Sequence, residues 1–119
     1  MWLQGRAMWF KGEHKEAIAL FEQLGPSTRG FLGYFYGSSG RRREAEQLLA
    51  EQDPSALRHQ VFIYAGLGEK DRVMEALEKL AATNDELVDL YPFFPELVLM
   101  RDDARMKEFR HQRNLPWPP

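Results

Sequence analysis

The sequence predicts an all-α fold of stacked helix pairs, and three observations point to it. Gly12, Gly40 and Gly68 recur at intervals of 28 residues. After each glycine and a charged turn comes an apolar set at i, i+3, i+4 and i+7, the stripe of an amphipathic helix. Pro26 and Pro54 share the same 28-residue spacing and close their copies where a helix cannot continue. One unit is therefore helix, glycine turn, helix, loop.

Each element follows in order. In the first copy, residues 1–26, the second helix carries Ala17, Leu20, Phe21 and Leu24. In the second, residues 27–53, it carries Ala45, Leu48, Leu49 and Gln52, a polar end to the stripe. The third, residues 54–82, uses Val73, Ala76, Leu77 and Leu80. Met8, Tyr36 and Tyr64 hold matching places on the helices before the glycines. Glycine within a helix costs ~1 kcal/mol against alanine, so Gly5 and Gly33 predict close packing, opposite Ala17 and Ala45 of their own pairs. Val61 and Val73 take those places in the third pair, which predicts a wider or differently crossed contact. One short pair cannot bury both its apolar faces, so consecutive pairs must stack.

Bulk properties narrow the function. A net charge of −2 argues against general binding to nucleic acid or anionic membranes. The absence of cysteine excludes disulfides and thiolate chemistry and suits a reducing cytoplasm. The N-terminus does not read as a signal peptide, and no run approaches the ~20 apolar residues of a membrane span. The three histidines are far apart, with no carboxylate at ligand spacing, so neither a metal nor a cofactor is expected. Asp102 and Asp103 read as a helix cap, "GYFYGSSG" lacks the Lys-Ser/Thr of a phosphate loop, and no catalytic constellation is visible.

The segments "GRAMWFKGEHKEAIALFEQLGP", "LGYFYGSSGRRREAEQLLAEQDP" and "IYAGLGEKDRVMEALEKL" resemble tetratricopeptide repeats through Leu32, Gly33, Tyr36 and the three turn glycines. The period is shorter than that family's usual ~34 residues, and Gln4 and Gln60 replace its expected leucine. Residues 83–119 form a C-terminal cap region with a proline-rich end, in which residues 84–116 resemble a tail that follows such repeats in bacterial multidomain regulators: winged-helix activators, nucleotide cyclases and Ser/Thr kinases. Its pieces are an apolar short helix at Leu87 to Leu90, a Pro-Phe segment at Pro92 to Leu97, the Arg101 to Asp103 step, a last helix from Ala104 to Arg113, and Leu115-Pro116. Met106 and Phe109 are expected to close the end of the stack; "LPWPP" either anchors Trp117 on that cap or stays a mobile tail. The first copy lacks the opening turn of the others. This leads to the expectation of a C-terminal piece of a longer protein, or of a lost preceding repeat, with Trp2 and Trp9 partly stripped of cover.

The resemblance implies a right-handed solenoid of about three repeats with a C-terminal cap, acting without catalysis in protein–protein recognition. It also implies a groove lined by the first helices, where Trp2, Arg6, Trp9, Phe10, Tyr34, Ser38, Arg58 and Phe62 are candidates. Aromatic anchors with arginines suit a protein or peptide bearing a carboxylate. Trp2, Trp9 and Phe10 have a second reading, as packing residues. Arg41, Arg42 and Arg43 read first as a face neutralised by Glu13, Glu16, Glu69 and Asp71 of neighbouring turns, and second as a contact for an acidic partner. A homodimerising element and a small-molecule sensor with a pocket near Trp9, Phe10 and Tyr34 are the alternative functions.

Overall fold

The computed structural model describes residues 2–83 and 88–115, and of Trp2 the backbone alone. The tail's proposed Trp117 and Leu87 lie outside the described residues. Seven α-helices occur among those described, and no strand. They are α1 (Trp2–Phe10), α2 (His14–Gln23), α3 (Arg29–Ser38), α4 (Arg42–Glu51), α5 (Leu57–Leu67), α6 (Lys70–Ala82) and α7 (Ala104–Gln112). Short 3-10 turns occupy Pro26–Thr28, Tyr91–Phe93 and Pro95–Met100.

The 28-residue period is visible in backbone geometry. Gly12, Gly40 and Gly68 all adopt left-handed φ, at +94°, +83° and +74°. There a side chain would crowd its own backbone, and glycine does not. The N–H after each glycine donates back to the carbonyl of Met8, Tyr36 or Tyr64, at 2.9, 2.8 and 3.0 Å. The glycine's own N–H donates to Trp9, Gly37 or Ala65. This is the same helix-ending hydrogen-bond pattern three times, using carbonyls that would otherwise lack partners.

Within pairs, α1 packs on α2, α3 on α4, and α5 on α6; consecutive pairs touch through α2 with α3 and α4 with α5. Ala17, Phe21, Ala45, Leu48, Val73, Ala76, Leu77 and Leu80 are buried as the stripes predict, while Leu20, Leu24, Leu49 and Gln52 are half-buried.

The most extensive packing joins α3 to α5, and it corrects the expected role of Gly33. A methyl group there would meet Ile63 Cγ1 of the next pair at 2.3 Å, so the nearest neighbour is not Ala45 of its own pair. Gly37 would meet the backbone of Gly66 at 2.6 Å, and Gly66 in turn the Tyr34 carbonyl at 2.5 Å. Two helix backbones are thus in direct contact. Gly5 does face its own pair, through Phe21 at 2.9 Å.

Two further expectations change. Trp9 is not stripped of cover: it is 5% exposed, stacked on Phe35 at 4.5 Å and edge-on to Tyr34 at 6.1 Å. Residues 88–90 form a turn rather than a helix. Pro95 cannot donate to the Tyr91 carbonyl, so Tyr91–Phe93 stops as a single 3-10 turn and a second 3-10 stretch starts at Pro95. Asp103, rather than Asp102, caps α7 by accepting from the Arg105 N–H at 2.8 Å. Its carboxyl is held down at about 2, chiefly by the Arg105 side chain. Arg105 also pairs with Asp71 at the start of α6, and Met106 and Phe109 are buried.

Gly37→Ala should therefore destabilise the fold by ~1–3 kcal/mol in urea unfolding, because only a backbone shift admits the methyl. Gly25→Ala, with open space around it, should stay within ~0.5 kcal/mol of the parent.

A second prediction concerns Tyr36, whose hydroxyl donates to Glu22 of the preceding pair at 2.6 Å. Burial first, then that bond and the carboxylate's charge, push its pKa from 10.0 up to about 12. The raised value means the bonded phenol contributes fully below pH 10 and the contribution is lost as pH rises through about 12. Tyr36→Phe should flatten the fall in melting temperature across that window.

Candidate binding cleft

The tail does not simply close one end of the stack; it reaches α1 through Glu96 and α5 through Tyr91 and Phe94. Arg6 on α1 holds Glu96 by two parallel hydrogen bonds, Nε to Oε2 at 2.6 Å and Nη2 to Oε1 at 2.8 Å. The Glu96 side chain is 0% exposed and that of Arg6 15%. The guanidinium lies between two rings, 4.9 Å from the centroid of Phe31 on α3 and 5.1 Å from that of Phe94. Bidentate pairing and ring stacking together suit arginine and not lysine. On α5, Phe62 meets Tyr91 at 5.7 Å and Phe94 at 5.6 Å.

Beside this contact a cleft of about 410 Å³ stays open. The start of α3 and the turn before it supply Ser27, Thr28, Gly30 and Phe31; α5 supplies Arg58, His59 and Phe62; the tail supplies Tyr91 and Phe94. Phe31 and Phe62 are 4.7 Å apart and form its floor. No carboxylate is among the described lining residues.

His59 is anchored by Gln52, the polar end of the second stripe. The Gln52 amide Nε2 donates to the Leu48 carbonyl at 3.0 Å, which turns its Oε1 toward His59 Nδ1 at 2.8 Å. The His59 Nδ1–H is therefore the donor. Burial lowers the His59 pKa, Arg58's charge acts the same way, and a bond to the Ser27 backbone opposes them. The ring is thus biased toward its neutral form.

Of the sequence-predicted residues, the structure brings Arg58 and Phe62 into this cleft. Arg6 is engaged by Glu96, and Trp9 and Tyr34 are packed in the core. Phe10 is exposed, outside the cleft lining, and the Trp2 side chain lies outside the described residues. Ser38 is exposed. Sequence reasoning missed Phe31, His59 and the tail residues. A lone glutamate inside the aromatic-proline run "YPFFPEL" was the available signal, since a buried carboxylate requires a cation.

The arginine cluster is elsewhere, at the start of α4. Arg41 grips Glu44, lies 3.9 Å from Glu22 and stacks 4.7 Å over Tyr36. Arg42 pairs with Glu46 and Glu69, each at 3.3 Å. Arg43 is exposed. Glu69 is the expected neutraliser; Glu22, Glu44 and Glu46 replace Glu13 and Glu16, and Asp71 is taken by Arg105. Among the described residues no cluster of three metal-ligating side chains occurs, and no helix is long and apolar enough to cross a membrane.

No family model, curated protein or solved structure matches the chain.

Removing Arg6 alone, as Arg6→Ala, strands a buried carboxylate and should cost ~3–5 kcal/mol in chemical denaturation. The paired replacement Arg6→Met with Glu96→Leu should recover most of that loss, and a double-mutant cycle measures the coupling.

Proposed function

We propose that the chain is a non-enzymatic protein-interaction module, an array of three tetratricopeptide-like helix pairs that takes a carboxylate-bearing peptide with an aromatic side chain. One observation carries the reading: among the described residues the cleft brings the rings of Phe31, Phe62, Tyr91 and Phe94 together with the side chains of Arg58 and His59. An aromatic side chain fits against Phe31, Phe62 and Phe94, and a carboxylate is drawn to Arg58. The chain's own tail supports this preference, since Phe94 and Glu96 engage the adjoining surface through the same ring and guanidinium contacts. Rigid helices hold these groups before the ligand arrives, so less conformational freedom is lost on binding. The tail's resemblance to the ends of bacterial regulators supports a place at the C-terminus of such a protein.

The test is fluorescence anisotropy with paired peptides, each carrying one aromatic residue and either acidic or basic flanks. Acidic peptides should bind in preference. Arg58→Glu should weaken them by at least ~10-fold, and Ser27→Trp should block the cleft, with far-UV circular dichroism unchanged in both. Equal binding of acidic and basic peptides, or indifference to both substitutions, refutes the reading. Tyr34→Ala is not a useful probe here, because Tyr34 is core.

A further inference from the structure

The internal period identifies an interface position that one helix leaves uncovered. Leu3, Phe31 and His59 are successive 28-residue equivalents, as are Ala7, Phe35 and Ile63. In the second pair this face packs on the first: Phe35 stacks on Phe21 at 4.9 Å and is 0% exposed. In the third pair it packs on α3, with Ile63 against Gly33 and His59 against Gly30. On α1 the same face is bare. Leu3 is 62% exposed, Phe10 one turn beyond Ala7 is 48% exposed, and Ala7 is exposed between them.

We propose that this face of α1 is a self-association surface, occupied by the same face of a second copy of the chain about a two-fold axis at Ala7. The face continues an interface already made twice within the molecule. Three further observations select a second copy in this arrangement. Arg6 is the one charged residue of α1 and is turned to Glu96, so two such helices meet without like-charge repulsion. At the other end of the array, Phe62 is covered by Tyr91 and Phe94 of the chain's own tail, which blocks head-to-tail joining. Spacing is self-complementary as well. Leu3 lies about 6 Å to one side of Ala7 along the helix and Phe10 about 4.5 Å to the other, at 1.5 Å per residue. Antiparallel pairing therefore sets each Leu3 against its partner's Phe10, with the two alanines at the crossing. An isologous contact of this kind closes at two subunits. One short helix per side falls below the roughly 800 Å² per partner of stable complexes, so the dimer is weak, with half-association at about 10–100 µM.

Sedimentation of the full chain should show mass rising with concentration from 13.9 kDa toward twice that value. Ala7→Glu and Phe10→Glu should each hold the chain monomeric, with melting temperature kept, because both positions face solvent in the monomer. The parent chain has no cysteine, so Ala7→Cys under mild oxidation reports the contact directly. It should give a disulfide-linked dimer at least ~10-fold faster than Ala50→Cys on exposed α4, since only neighbouring Cβ atoms can bridge. A monomer at all concentrations, a dimer that persists in Ala7→Glu, or equal crosslinking at positions 7 and 50 overturns the proposal. Peptide binding in the cleft is unaffected by any of these results.

Discussion

Backbone contact between α3 and α5 is the constraint on which the other features of the molecule depend. Gly37 and Gly66 leave no side chain between the two backbones where they meet, and Gly33 makes room for the Ile63 side chain. That closeness brings Phe31 to 4.7 Å from Phe62 and gives the cleft its floor. Phe94 then has two rings to lie against, directly on Phe62 and across the Arg6 guanidinium on Phe31. Glu96, two residues on, is delivered beneath Arg6. A wider helix spacing would separate the rings and remove the seat of the tail. The glycines cost helix propensity locally, and the packing they permit offsets that cost at long range.

What could be read from the sequence follows from how local each feature is. The turn glycines, the preceding Met8, Tyr36 and Tyr64, and the apolar stripes belong to single hairpins; the turns recur at their predicted places, and the stripes are buried except at Leu20, Leu24, Leu49 and Gln52, which are half-buried. Gly33 was legible as a point of close approach, but its partner was not. An apolar face declares that something covers it, without declaring which neighbour. Trp9 illustrates the same limit, being covered by Phe35 of the second pair rather than left open. Arg58 and Phe62 were reached as candidates on the first helices, while Phe31 and His59 join the cleft through the approach of α3 to α5, which no single-helix pattern displays. The route of the tail had no periodic pattern to reveal it.

The Arg6–Glu96 pair has more to do with specificity than with net stability. Desolvating two charges roughly cancels their attraction, and an apolar pair of similar volume would hold the tail about as well. An apolar tail could, however, slide along the ring-lined surface, because one ring resembles another. A carboxylate beneath a single guanidinium has one acceptable position, and any slip leaves both charges buried without their hydrogen bonds. The pair therefore fixes which tail residue lies under α1 and, through it, where Tyr91 and Phe94 border the cleft.

From this arrangement comes an asymmetry between the two ends of the array. The tail covers Phe62 at the last first-helix and is pinned across the stack by a charge on the first, so one end is finished by the chain itself. At the opposite end the equivalent interior position is occupied by Leu3 and Ala7, which nothing within the described residues covers. A repeat array with two open ends would polymerise through successive copies of its internal interface. In the proposed dimer, covering one end and leaving the other apolar would restrict association to a closed contact between like faces. In that arrangement the ion pair that orders the tail would also limit how far the molecule assembles.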